Sequence, residues 1–331
     1  MKILVVGASG DIGSHLIPEL SNKGYGVRAL VKTPKEADKI RMPGVEIYFA
    51  DITNPRTTDG AALGIGAVYH LDDSYCVVNP EEDLRKLIYE GLVNVADECI
   101  NKGVKRFIFT SSPFVLGLCN GPLKPVSPEM ATEQPNTFYA LYKKLCEQHL
   151  TVLNKHGKLD VTILRLGTVY GPAVELIKTL RALIKHGVYR IPNNGENKMQ
   201  AVHIEDVVQA LILVLKNKKA IGQIYNVADD RPILYKEFIF KLADLLNMPR
   251  PKFISIWVCR AIASLSTIFA KLTNSTPLIN NDILTLSTSS FELDTLKTKV
   301  ELGFSPKYPT INEGLPTCNG FYRKPQQSAT A

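Results

Sequence analysis

Tyr139 and Lys143 stand four residues apart in Tyr139-Ala140-Leu141-Tyr142-Lys143, a spacing that puts a phenol and an ammonium on one face of a helix. A free phenol holds its proton up to a pH of about 10, and a neighbouring cation favours the phenolate, so such a pair suits acid/base work near neutral pH. Taken alone the pattern is weak, because Tyr and Lys are common on solvated helix faces. It gains weight from Thr110-Ser111-Ser112, which ends an apolar run and carries hydroxyls to a strand terminus. Ser112 there can donate a hydrogen bond to a reacting oxygen, with Ser111 as a substitute for the same task.

Near the start, residues 3–6 run straight into Gly7-Ala8-Ser9-Gly10-Asp11-Ile12-Gly13, and a helical pattern follows. Strand, glycine loop and helix in that order make a phosphate cradle. Gly7 permits the tight turn, Gly10 lets the backbone approach a pyrophosphate, and Gly13 lets the helix pack closely with its N-terminal amides facing the anion. Ser9, Asp11 and Ile12 belong to the same contact stretch, and a dinucleotide cofactor is expected. No GxxxxGKS/T loop occurs, which disfavours an ATP or GTP hydrolase. An NAD site calls for a carboxylate about 20 residues on, yet the second strand ends Arg28-Ala29-Leu30-Val31-Lys32-Thr33. Lys32 and Thr33, with Arg28 or Lys35 as further choices, suit a 2′-phosphate, so NADP is expected ahead of NAD, which stays possible. Asp51, after the third strand, is placed for the adenine end or for a turn cap.

The elements that must hold these groups follow from periodicity. Apolar, β-branched runs at 3–6, 27–31, 45–49, 67–71, 106–110 and 161–164 alternate with helical patterns at 12–23, 84–102 and 139–156, which predicts an α/β fold with a doubly wound parallel sheet. Residues 1–170 read as a dinucleotide-binding domain and 171–322 as a smaller, mainly helical substrate lobe. A stretch at about 201–228 returns to the first body, and 323–331 reads as a flexible tail. The 331 residues, 45% hydrophobic and 21% charged, exclude disorder as the main state. A net charge of +7 without a basic run favours an ordinary basic enzyme over a nucleic-acid binder.

Six cysteines in no CxxC pair fit a reduced compartment, and the apolar run at 3–6 is too short for a signal-peptide core, so a cytoplasmic location is expected. No integral membrane segment is expected either. The nearest approach, 253–272, is interrupted by Arg260, Ser264, Ser266 and Lys271 and reads as a buried or interfacial helix.

With these residues in view, the chain resembles the extended short-chain dehydrogenase/reductases, or NAD-dependent epimerase/dehydratase family. Besides the loop, Ser112 and the Tyr139/Lys143 pair, the resemblance rests on Asp51-Ile52, Gly117, Arg165-Leu166-Gly167-Thr168-Val169-Tyr170-Gly171-Pro172, His203-Ile204-Glu205-Asp206-Val207, Tyr225-Asn226-Val227 and Glu301-Leu302-Gly303-Phe304-Ser305-Pro306. It implies hydride exchange at a nicotinamide, with Tyr139 as acid/base, Lys143 as its electrostatic partner and ribose ligand, and Ser112 as carbonyl polariser. Ile52 and Leu71 join the cofactor contacts by the same resemblance. Where the family usually has small alanines after the fourth strand, this chain has His70-Leu71-Asp72-Asp73.

Within the family the sequence looks closer to the dihydroflavonol reductase and 3β-hydroxysteroid dehydrogenase branch. Sugar-nucleotide members commonly carry an arginine shortly before the His203 motif, whereas Glu196-Asn197-Lys198-Met199-Gln200 offers only Lys198. Dehydratases follow the catalytic hydroxyl with Asp-Glu, whereas Pro113 and Phe114 follow Ser112. The expected function is an alcohol dehydrogenase or ketone reductase for a hydrophobic small molecule. The alternatives are a nucleotide-sugar epimerase and a non-catalytic dinucleotide-binding regulator. A homodimer through the helices at 84–102 and 139–156 is a further possibility that the resemblance raises.

Overall fold

Apolar, β-branched runs make parallel strands, and six of them build the body: β1 Lys2–Val6, β2 Gly26–Val31, the half-exposed edge strand β3 Val45–Phe49, β4 Ala67–His70, β5 Arg106–Ser111 and β6 Asp160–Leu166. In this computed structural model a seventh strand, Gln223–Val227, adds to the far edge, giving the order Gln223–Val227, β6, β5, β4, β1, β2, β3, with every neighbouring pair parallel. The order reverses between β1 and β4. At that switch point the helices that leave adjacent strands diverge and open a crevice at the carboxyl ends, where ligands of such sheets bind. The structure describes residues 1–71, 81–117, 126–127, 135–273, 275, 277 and 279–322. Asp72, Asp73, Cys76, Cys119 and the tail from Arg323 lie outside the described residues.

Helices flank the sheet. Asp11–Asn22 packs on Ile204–Leu215, and the helical run Glu81–Leu84, Arg85–Glu90, Gly91–Asn101 packs on Phe138–Lys155. The pattern at 84–102 thus starts three residues early and contains a π turn at Arg85–Glu90. The extra residue in that turn offsets the hydrogen-bond ladder, and its Ile88 carbonyl takes the Cys146 thiol of the facing helix at 3.3 Å. Gly103 and Gly157, at φ of 75° and 66°, end their helices in the left-handed conformation that glycine tolerates.

Several motifs of the second half prove to be latches. Asp206 accepts from the Lys307 and Tyr308 amides at 2.6 and 3.1 Å, and the Gln200 side chain ties Asp229 to the Leu293 amide. Asn226 donates to the Val126 and Asp294 carbonyls, and the Tyr225 hydroxyl to Glu301. These contacts clasp the C-terminal segments onto the sheet edge. Residues 253–272 contribute an outer helix, Ile256–Thr273, rather than a core helix. Among its described side chains only Cys259, Ala263 and Ala270 are buried, because a small-residue stripe is all it offers the protein.

The latch region carries a titration signature. Burial, and then the Asp206 carboxylate, push the Asp229 carboxyl up to about 8, while burial pushes His203 down to about 4. An unfolded Asp ionises near pH 3.9, so between about pH 4 and 8 the folded state holds a proton that the unfolded state has lost. Stability therefore falls as pH rises through that window, at up to about 1.4 kcal/mol per unit. His203 slopes the other way up to about pH 6.5, which leaves pH 6.5–8 to Asp229. Asp229→Asn mimics the protonated carboxyl beside the Tyr170 hydroxyl, 3.5 Å away. Its melting temperature is expected to gain about 2–4 °C on wild type between those two pH values, and a constant difference would count against the assignment.

Candidate active site

The glycine loop closes the amino end of the crevice. Gly7 has φ +76°, and a Cβ there would lie 1.8 Å from the Leu71 carbonyl oxygen, while one on Gly13 would lie 2.4 Å from the Gly7 oxygen. Hydrogen atoms alone fit, so β1, the loop and helix Asp11–Asn22 sit closer to the end of β4 than any side chain would allow. The Gly10 amide is turned back to the Gly7 carbonyl at 3.1 Å. Ser9 belongs to this turn, Ile12 is buried at the first helical turn, and Leu71 is buried against it. The Asp11 carboxylate accepts from the Glu175 amide at 2.9 Å, tying the loop to the second lobe, and burial raises its pKa.

Across the crevice, Thr137 caps helix Phe138–Lys155 by accepting from the Ala140 amide, which sets Tyr139 and Lys143 one turn apart on the inward side. Both are buried, at 8% and 1% exposure, as is Ser112 at 6%. The Lys143 ammonium donates to the Thr110 carbonyl at 3.0 Å. It stands 4.7 Å from the centroid of the Phe109 ring and 6.0 Å from that of Tyr139. A cation is therefore fixed beside the phenol by the end of β5, in a setting where water screens little. Ser112 accepts from the Phe114 amide at 3.3 Å, which leaves its own proton available. Ser111 is also in the wall, and its buried hydroxyl has no partner among the described residues. Asp11, Ile12, Ser111, Ser112, Tyr139 and Lys143 line one cleft of about 120 Å³. The arrangement can deliver a proton to, or take one from, an oxygen held by serine.

The adenine side is built differently from the sequence expectation in one respect. Arg28 turns into the body, donating to the carbonyls of Gly60, Ala61 and Leu63 and pairing with Glu46 at 3.0 Å. It is a structural clamp, holding the turn at 60–63 against the second strand. Lys32 is exposed and paired with Asp51 at 2.7 Å, and Thr33 caps the helix Pro34–Ile40 by accepting from the Glu36 amide. The Glu36 carboxylate takes the Lys32 amide, placing an acid beside the Lys32 and Thr33 expected to hold a 2′-phosphate. Asp51 also accepts from the amide and hydroxyl of Thr53, so it serves as a turn cap, and the Ile52 carbonyl accepts from Asn94.

A family model described as NAD dependent epimerase/dehydratase family matches residues 3–228, more than half of the chain. The chain belongs to that family. Among relatives of this epimerase/dehydratase enzyme, UDP-glucose 4-epimerase of Vibrio cholerae is 28% identical over 95% of this chain and 93% of its own. The 3beta-hydroxysteroid-dehydrogenase/decarboxylase isoform 2 of Arabidopsis thaliana is 26% identical over 94% of this chain, which spans 60% of that relative's length. The solved UDP-glucose 4-epimerase of Thermus thermophilus, in complex with NAD, superposes with a TM-score of 0.76 at 20% identity, covering 97% of this chain and 98% of that one.

As a member of the epimerase/dehydratase family, the protein is an NAD(P)-dependent enzyme acting on a CH–OH group. Its residues fit such a cofactor. The tight, side-chain-free turn at Gly7 and Gly13 and the amides opening helix Asp11–Asn22 suit a pyrophosphate, and the hydroxyl wall of β5 suits the nicotinamide end.

Structure adds residues that the sequence did not single out. Phe114 and Phe291 meet edge to face, centroids 5.4 Å apart, and with Val174 and Leu176 they close the outer end of the cleft. Phe291 and Leu176 had no local signal, since each reaches the site from a different segment of the second lobe. Phe114 could be suspected, because the short helix Pro113–Leu116 must lie against whatever Ser112 touches.

Proposed function

We propose that this protein interconverts a secondary alcohol and a ketone on an apolar small molecule, with NADP(H) preferred. The observation that carries the reading is a second cavity, about 510 Å³, which shares Phe114, Thr168, Leu176 and Phe291 with the catalytic cleft. Its wall is dominated by aliphatic and aromatic side chains, among them Leu180, Ile254, Ile283 and Leu286. That size and lining match sites for lipophilic molecules. At the stretch before His203, Met199 is buried in the cavity wall, whereas Lys198 is exposed and is not part of it. Among the described residues the cation in the wall is Arg190, and its guanidinium already donates to the Gly187 and Tyr189 carbonyls. The relative named as a hydroxysteroid dehydrogenase points the same way.

In this reading Ser112 donates to the substrate oxygen and Tyr139 passes its phenolic proton to that oxygen in reduction, or accepts it in oxidation. Lys143 stabilises the phenolate that results, and its anchorage to Thr110 keeps it in place. The cofactor, when bound, supplies or accepts the hydride. Phe114 and Phe291 exclude water from the reacting carbon. Lys32 leaves its exposed pair with Asp51, a contact worth little, for the 2′-phosphate, and Glu36 works against it.

The test is a parallel titration and turnover assay. NADPH is expected to bind about tenfold more tightly than NADH, and Lys32→Ala to remove most of that ratio. Apolar cyclic and aromatic ketones should consume NADPH mole for mole. The full-length match to an epimerase favours a second reading. Interconversion of UDP-glucose and UDP-galactose with no net cofactor loss would replace the first reading by that one.

A further inference from the structure

We propose that helix Ile256–Thr273 seats this protein in the headgroup region of an anionic lipid bilayer, lying in the plane of the surface. The helix is inverted with respect to an ordinary surface helix. Its buried stripe is small, made of Cys259, Ala263 and Ala270, while Trp257, Leu265, Phe269 and Leu272 are 72%, 66%, 66% and 81% exposed. With Val258, Ile262 and Ile268 also exposed, and at about 100° per residue, the outward apolar side chains fall within an arc of roughly 140°. A patch of this kind, rarely left to water, is continuous with the exposed Val188 and Leu183, which with Cys259 and Ile262 line the larger cavity. The apolar face therefore borders the cavity described above.

Charge selects the occupant. Between Asp244 and Asp282 the sequence contains Arg250, Lys252, Arg260 and Lys271 and no Asp or Glu, and of these Arg250 is paired with Asp244 at 2.6 Å. The exposed Arg260 guanidinium stands 5.2 Å from the Trp257 ring centroid, so a cation and an amphipathic indole share one edge of the apolar face. An apolar face with Trp and Phe, bordered by basic residues, is the pattern of helices that lie at a lipid interface and gain from anionic headgroups. A second copy of the chain would instead bring like charges together. Spanning is not the mode, since no helix among the described residues is long and apolar enough to cross a membrane.

Trp257 is the chain's only tryptophan, so its emission reports on this face alone. The full chain is mixed with vesicles of phosphatidylcholine, with and without phosphatidylglycerol, and followed by flotation and fluorescence. Flotation with the anionic vesicles, a blue shift of Trp257 emission, and binding at least fivefold weaker to neutral vesicles or in high salt are the expected results. Leu265→Asp/Phe269→Asp should lower vesicle binding at least tenfold while NADPH still binds, which shows that the variant is folded. Absence of flotation with unmoved emission would overturn the proposal, as would equal flotation of the variant. A blue shift that needs no vesicles and accompanies a doubled mass would overturn it too, in favour of a second copy on this face.

Discussion

Tyr139→Phe is expected to lower kcat by about two to four orders of magnitude, the usual worth of a positioned acid/base, with the Kd for NADPH unchanged. The substitution deletes one oxygen. It keeps the ring beside which the Lys143 ammonium is held, and the Lys143 anchor on the Thr110 carbonyl does not depend on the hydroxyl. Tyr139 lies at the cleft wall with 8% exposure, so the loss of its hydroxyl opens no sizeable cavity. Single-turnover reduction of a ketone with saturating NADPH separates the chemical step from binding. A rate within tenfold of wild type would remove Tyr139 from the chemistry and pass the proton to another hydroxyl in the cleft, with Ser111, which has no partner among the described residues, first in line.

The other large effect is at Gly7. Gly7→Ala meets two costs, a left-handed backbone at φ +76° and a methyl carbon 1.8 Å from the Leu71 carbonyl oxygen. Gly24 separates them, because its φ is +77° and a Cβ there meets nothing within 4 Å. Gly24→Ala should therefore show the conformational cost alone, about 1 kcal/mol in urea unfolding. Gly7→Ala should lose more than about 3 kcal/mol, since backbone rather than a yielding side chain must move, and should bind no cofactor. Equal losses at the two sites would mean that the loop and the end of β4 are not in the close approach described.

Much of the candidate site is legible in the sequence because its signals are local. The strand, loop and helix around Gly7, Gly10 and Gly13 form one continuous segment, and the Tyr139/Lys143 spacing is a property of a single helix. The strands were equally readable, because a sheet covered on both faces requires uninterrupted apolar runs, as in β1 and β5. Arg28 shows where local reading fails. Its position at the end of a strand suggested a phosphate ligand, but the carbonyls of 60–63, more than thirty residues away, claim its guanidinium.

What the sequence determined by itself is thus the chemistry on offer and the class of sheet that carries it, since glycine spacing, helical pairing and apolar runs act over a few residues. The tertiary structure decided what surrounds that chemistry. It brought Phe291, Leu176 and Met199 from separate segments into one apolar wall, turned the His203 to Val207 motif into a clasp on the C-terminal segment, and left the large side chains of Ile256–Thr273 facing outward. Those outcomes depend on which surfaces meet across long stretches of chain. The pattern at 253–272 is apolar either way, and only the packing of its small stripe shows that its large residues are left for something else to cover.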